Sequence, residues 1–320
     1  MPDARPAVLV LGRITPRMRD RLERSFELLE DATGREDDVR AIAAGMGARV
    51  DAATIDRHAS LAAVGNYGVG YDAVDAAHAA TRDVIVTHTP DVLNDEVANT
   101  AILLLLAADR RLVEFDRFVR EGRWETDGAA PLTRGVRERT VGIVGLGRIG
   151  ATIADKLAGA FGARILYHSR SEKDSPYEYR ADLVAMARDS DALIVVTPGG
   201  AETEKLVSRE VMEALGPDGT LVNVARGTVV DEAAMIDLLE SGGLGRAGLD
   251  VFENEPRVPE RLRALPNVVL LPHVGSATEE TRAAMGDLVC EGIEDVLAGR
   301  RPRAPVPEAR DLAAKLGGDR

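Results

Sequence analysis

The sequence holds one cysteine, Cys290, in 320 residues. A single thiol excludes an intrachain disulfide and any metal site built on a cysteine cluster. Aromatic residues make up only 3% of the chain, so its cores must be packed from Ala, Val, Leu and Ile. Positive charge is also short: 40 basic against 53 acidic side chains give a formal net charge of −13. That balance disfavours a nucleic-acid partner, whose phosphate backbone calls for a basic surface. The longest apolar run, AILLLLAA at 101–108, is far too short to span a bilayer. The opening MPDARPAVLVLG lacks the apolar length of a signal peptide. A soluble, cytoplasmic protein with no membrane partner is expected. His58, His78, His88 and His168 show no metal-ligand spacing, so no metal is expected and these read as ordinary surface or turn histidines.

What the chain does have is 45% hydrophobic residues in a length that suits about two domains. VLVLG (8–12) reads as a strand. TPRMRDRLERSFELLE then reads as a helix, with Thr15 as N-cap, Pro16 at the first position and Met18, Leu22, Phe26 and Leu29 on one face. LAAVGNYG and VIVTHT read as further strands, and a long helix is expected over 94–122. From Thr140 the rhythm sharpens: TVGIVG, ARILYH, ALIVVT, GTLVNVA, AGLDVF and NVVLLPH are apolar runs separated by helical segments. Buried parallel strands look like this, and the connecting helices make βαβ crossovers. The fold class is α/β: a doubly wound, Rossmann-type parallel-sheet domain, with a second, smaller α/β domain ahead of it. The Pro-rich tail RRPRAPVPEARD reads as an exposed or crossing segment.

GLGRIG (145–150) fits the dinucleotide fingerprint, with the strand VGIV before it and a helix after it. Gly145 allows the tight turn, Gly147 lets the backbone approach a pyrophosphate, and Gly150 lets helix and strand pack. The N–H groups near Arg148 and Ile149 would face the anion at the helix N-terminus. Ser169 lies 19 residues beyond Gly150, where an NAD site carries an acid for the ribose hydroxyls. Here Ser169 and Arg170 stand instead, and both can donate to a 2′-phosphate. NADP(H) is therefore preferred over NAD(H), against the plainer alternative of a solvated surface arginine. Three further residues follow later strands: Arg226 in NVARGTVV, Glu255 in DVFENEP and His273 in LLPHVGS. Ligands of open α/β sheets sit outside the carboxyl ends of the strands, so all three are candidates for one crevice.

These motifs, with GNYGVGYDAVD (65–75), DEVANTAILLLLA (95–107) and TPGG (197–200), make the chain resemble the D-isomer-specific 2-hydroxyacid dehydrogenases over nearly its whole length. Within that family it is most similar to the glyoxylate/hydroxypyruvate and hydroxyphenylpyruvate reductases. The resemblance implies that His273 is the general acid, that Glu255 fixes its tautomer and favours the charged ring, and that Arg226 holds the substrate carboxylate and carbonyl oxygen. It implies that Val69 and Gly70 offer backbone N–H groups to the carboxylate and that Tyr67 lines the same pocket. Asp250, Ala225 and Gly275 would surround the nicotinamide, and Thr197 and Pro198 the adenosine half. It also implies a flavodoxin-like substrate domain, residues 1–92 with 277–320, and a cofactor domain of 93–276. Crossovers near Val92 and Ser276 would act as hinges, their closure excluding water from the hydride path.

The resemblance further implies a homodimer whose arm contains Trp124, with this aromatic reaching the partner's substrate pocket; the alternative is that Trp124 is a local packing anchor. Residues after Pro307 run past the usual family end and are a candidate for disorder. Asn99 stands where many relatives carry an acid. Glu255 argues against formate oxidation, since formate-oxidising relatives lack that glutamate, and the chain has no room for the regulatory domain of phosphoglycerate-directed relatives. The expected activity is NADPH-dependent reduction of a small 2-oxoacid. Beside it stand an NAD-linked D-lactate-type dehydrogenase and a dinucleotide-sensing scaffold like the co-repressors of this fold.

Overall fold

The computed structural model describes residues 5–135 and 137–317. The chain divides into two units, Met1–Leu93 with Ala277–Arg320, and Asn94–Ser276.

The first unit is built on five parallel strands: β1 (Ala7–Leu11), β2 (Glu27–Leu29), β3 (Val39–Ala44), β4 (Ala63–Asn66) and β5 (Ile85–Thr87). Their spatial order is β2-β1-β3-β4-β5, the flavodoxin-like arrangement. Thr15 caps the first helix, its hydroxyl accepting the Met18 N–H at 3.2 Å, and Pro16 occupies the first turn, where its missing N–H costs nothing. That helix stops at Ser25, short of the expected end. Phe26 is already extended, and Glu27–Leu29 pairs with Ala7–Leu9 as an edge strand. Phe26 and Leu29 are buried in the sheet arrangement, and their helical spacing could not reveal that pairing with β1 would win. Strand β3, VRAIAA, lies at the centre of the sheet and is buried except for Arg40. Its alanine content hid it, because little in the run is β-branched.

The described chain after Pro307, up to Gly317, is folded. It forms one 3₁₀ turn, Pro307–Ala309, and a short helix, Arg310–Ala313, and buries Ala309 and Ala313, with Val306 buried just before them. Ahead of it, Val306 donates its N–H to Val86 O at 3.0 Å, and His88 donates to Ala304 O at 3.1 Å. Once three apolar side chains are buried and backbone groups are shared with β5, a proline-rich composition no longer implies an unattached tail.

The second unit holds seven parallel strands: β6 (Thr140–Val144), β7 (Arg164–His168), β8 (Glu178–Tyr179), β9 (Ala192–Val195), β10 (Thr220–Asn223), β11 (Arg246–Leu249) and β12 (Val268–Leu270). They are ordered β12-β11-β10-β9-β6-β7-β8, so the winding direction reverses between β6 and β9. Ligand-binding crevices open at such a switch point. Helices Asn94–Asp109 and Arg148–Phe161 bury Ala98, Ala101, Leu104, Leu105, Ile153 and Leu157 against one face of the sheet. Helices Leu183–Arg188, Arg209–Leu215 and Glu232–Ser241 supply the core on the other. Each such leucine contributes about 1.5–3 kcal/mol by its burial.

The long helix expected over 94–122 breaks at Asp109. Arg111 sits at φ 52° with its guanidinium forked onto Glu114, and a second helix runs Leu112–Arg120. Asp109 is fully buried; it pairs with Arg139 and accepts the Thr220 hydroxyl at 2.6 Å, tying the helix end to the start of β10. Among the described residues, no helix is long and apolar enough to cross a membrane, and no cluster of His, Cys, Asp or Glu could hold a metal.

Candidate active site

Strands β10, β11 and β12 are neighbours, and Arg226, Glu255 and His273 lie three, six and three residues beyond their carboxyl ends. Gly227 packs directly under the β11 loop: a Cβ there would come within 1.9 Å of the Phe252 carbonyl carbon. Only glycine fits, and this contact brings the loops of Arg226 and Glu255 together. Asn223, buried at the end of β10, shapes the first loop by accepting the Ala225 N–H and donating to Arg226 O, both at 3.0 Å. Arg226 itself donates to Ala225 O at 2.7 Å. Glu232 steadies the second loop by accepting the Glu253 N–H at 3.1 Å, and burial pushes its carboxyl above the ordinary value.

The central contact is between His273 Nδ1 and Glu255 Oε2, at 2.7 Å. The other Glu255 oxygen accepts the Phe252 N–H at 3.1 Å. Burial works to raise the Glu255 carboxyl. The hydrogen bond and charge of His273, the Phe252 N–H and the nearby Arg226 guanidinium outweigh it and leave the carboxyl below its ordinary value. An ionised Glu255 can only accept, so Nδ1 carries the proton in that bond.

His273 sits at φ 54°, a left-handed conformation that non-glycine residues rarely adopt. Asp250 holds it there. The N–H of His273 donates to Asp250 O at 2.8 Å, that of Val274 to Oδ1 at 2.7 Å, and that of Gly275 to Oδ2 at 2.8 Å. Three successive amides thus converge on one residue that is only 2% exposed. Burial raises the Asp250 carboxyl against the pull of those two amides. Thr100, from the Asn94–Asp109 helix, closes the turn from behind by donating to Gly275 O at 3.2 Å.

The glycine fingerprint lies at the switch point. Gly145 has φ 106°, and a side chain there would press within 3.0 Å of the Thr197 backbone; one at Gly150 would meet Gly145 O at 2.1 Å. The TPGG loop, with Thr197 and Pro198, therefore lies against the first βα turn. At Gly147 a Cβ would project into open space, with Arg148 and Ile149 opening the 14-residue helix beside it. A cleft of about 440 Å³ runs from Leu146, Gly147 and Arg148 to Lys173, Ser175 and Tyr177. Its far wall is latched by Tyr177, whose hydroxyl donates to Asp155 at 2.6 Å; burial and that carboxylate push the phenol up to about 12. A bare backbone facing an open cleft at a helix N-terminus fits a dinucleotide pyrophosphate.

Ser169 and Arg170 follow β7. Ser169 donates to Ser171 O at 2.6 Å, and the Arg170 side chain is 91% exposed with a long 3.5 Å contact to Glu202. Lys173, missed in the sequence, lines the same cleft and reaches Ser171 Oγ at 3.3 Å. Trp124 does not join the site; it is 66% exposed on the Arg123–Asp127 helix, so it is no local packing anchor. In the first unit, Tyr67 is buried and donates to Arg282 O at 2.9 Å, while Val69 and Gly70 sit half-buried in the turn after β4.

Residues 102–275 match the model of the D-isomer specific 2-hydroxyacid dehydrogenase, NAD binding domain. Glyoxylate/hydroxypyruvate reductase A of Arabidopsis thaliana is 44% identical, over 93% of this chain and 98% of its own. Hydroxyphenylpyruvate reductase of Plectranthus scutellarioides is 47% identical over 84% and 85%. Among solved structures, the NADPH-dependent glyoxylate/hydroxypyruvate reductase of Sinorhizobium meliloti, in complex with NADP and malonate, superposes with a TM-score of 0.90 at 47% identity, covering 95% of this chain and 98% of that one. The chain belongs to the D-isomer specific 2-hydroxyacid dehydrogenase family and is an NAD(P)-dependent oxidoreductase.

Proposed function

We propose that the protein reduces small 2-oxoacids such as glyoxylate and hydroxypyruvate to D-2-hydroxyacids, with NADPH as the preferred cofactor. The observation that carries this reading is the 2.7 Å His273–Glu255 pair beside Arg226 at three adjacent strand ends. When bound, the nicotinamide supplies a hydride to the carbonyl carbon. Arg226 binds the carboxylate and the carbonyl oxygen, stabilising the negative charge that grows on that oxygen. His273, with Nδ1 committed to Glu255, gives the Nε2 proton to the oxygen, and the alcohol forms. Asp250 and Gly275 bound the nicotinamide site, and Ala225 lies at its edge. In the first unit, the N–H groups of Val69 and Gly70 hold the substrate carboxylate, and Tyr67 backs their turn.

NADPH is favoured over NADH because the end of β7 carries Ser169 and an outward-pointing Arg170 where an acid would repel the phosphate. The NADP complex of the Sinorhizobium meliloti relative supports the same choice. A homodimer is supported by a run of exposed apolar side chains: Leu103, Leu112, Val113, Val119, Trp124 and Leu132, the last 98% exposed, all fall between 103 and 132. Concentrated exposure of this kind marks an association surface, and Trp124 is the aromatic that would reach the partner's pocket. The test is a panel of glyoxylate, hydroxypyruvate, hydroxyphenylpyruvate and pyruvate run with NADPH and NADH. Turnover fastest with NADPH on the small acids supports the reading, and a preference for NADH with pyruvate replaces it with a lactate-type activity.

A further inference from the structure

We infer that Asn66 and His88 are positioning residues that hold the Gly68–Gly70 turn as a preformed cradle for the substrate carboxylate. The inference rests on the reading above that the N–H groups of this turn bind that carboxylate.

It follows from where the carbonyls of the turn point. The Asn66 side chain, buried at the end of β4, donates through Nδ2 to Gly68 O and to Gly70 O, both at 3.0 Å. The backbone N–H of Thr89 donates to Gly68 O at 3.0 Å. His88 Nδ1 lies 2.9 Å from Val69 O. A carbonyl can only accept, so Nδ1 is the protonated nitrogen. Three consecutive carbonyls are therefore each engaged by a donor of the protein. In a planar trans peptide the C=O and the following N–H point in opposite directions. Fixing the carbonyls of Gly68 and Val69 thus turns the N–H groups of Val69 and Gly70 away from these donors. Among the described residues, neither N–H has an acceptor within the protein. A carbonyl that already accepts a bond also polarises its own peptide and makes its N–H a stronger donor.

His88 is tied to the C-terminal segment directly at its backbone and, at its ring, through Tyr71. The His88 N–H donates to Ala304 O at 3.1 Å, and the edge-on ring of Tyr71, 5.6 Å away, is anchored through its hydroxyl to Glu308 at 3.2 Å. The C-terminal segment thereby acts on the Gly68–Gly70 turn through His88. His88 carries no sign of this role in the sequence, because a single ring bonded to a backbone oxygen leaves no spacing signal.

The test uses the intact enzyme with NADPH and compares wild type, His88→Phe and His88→Gln. Phenylalanine keeps the ring packing against Tyr71 and removes the donor; glutamine restores an N–H donor. His88→Phe should raise the KM for hydroxypyruvate and the Kd for oxalate about tenfold, with kcat within about threefold and NADPH affinity unchanged; His88→Gln should recover most of the loss. Amide hydrogen exchange read with oxalate should show Val69 and Gly70 protected in wild type and less so in His88→Phe. Unchanged oxalate affinity in His88→Phe overturns the positioning role alone. Oxalate that binds wild type and leaves both amides unprotected overturns the carboxylate reading itself. If His88→Phe unfolds, Asn66→Leu, which removes two carbonyl contacts, carries the same readouts and the same two outcomes.

Discussion

Two turns do opposite things with their backbone. At 273–275 the amide hydrogens are drawn inward onto Asp250, and what the turn presents is a side chain, His273. At 68–70 the carbonyl oxygens are drawn inward onto Asn66, His88 and Thr89, and what the turn presents is backbone N–H. A buried acceptor-only residue is needed behind the first, and buried donors behind the second. On the function proposed above, the polarity of the supporting side chain matches what each turn would serve: a proton donor in one case, an anion-binding backbone in the other.

The largest effect should come from the side chain that the first turn presents. His273→Ala should lower kcat for 2-oxoacid reduction by about 10²–10⁴-fold, the usual worth of a positioned proton donor, with the Kd for NADPH unchanged by fluorescence titration. Near-wild-type turnover would remove His273 from the chemistry. Next is its support. Asp250→Asn replaces an acceptor with an NH₂ facing a buried N–H, at a cost of about 1–3 kcal/mol in stability, measured by urea unfolding; kcat should fall as well. A variant equally stable and equally active would show that the amides of Val274 and Gly275 do not need the carboxylate.

Arg170→Ala addresses the cofactor, away from both turns. It should weaken NADPH by about 1.5–3 kcal/mol, the range for a charged hydrogen bond, and leave NADH nearly unaltered. Equal losses for the two cofactors would make Arg170 structural. The smallest effect is on acid stability. The Glu255 carboxyl lies below its ordinary value in the folded protein, so it favours folding wherever it is ionised. That contribution is complete above the ordinary carboxylate value and fades as pH falls through the depressed folded one. Glu255→Gln should thus melt below wild type near neutrality, and the two curves should converge in acid; a constant gap at all pH values would contradict the pairing.

Much of this was legible because strand ends and glycines carry strong signals. GLGRIG between a strand and a helix, and Arg226, Glu255 and His273 after three apolar runs, stand out before any geometry is known. The supporting residues did not. Asn223 and Asn66 were readable in hindsight, since asparagine is depleted in strands and both end buried ones. Glu232 and Thr100 look like ordinary helix residues, and only packing shows which carbonyl or amide they meet. Phe26 and Leu29 satisfied helical spacing and still went to an edge strand, because β1 offered backbone partners that no local pattern contains. The exposed Trp124 was ambiguous in sequence, and its exposure removes the packing reading.

The most direct test of the central claim is a single turnover of enzyme and NADPH mixed with hydroxypyruvate, followed at the NADPH band, with the chirality of the glycerate product determined. The account predicts one equivalent of NADPH consumed and D-glycerate formed. No consumption, or formation of the L-isomer, would contradict it.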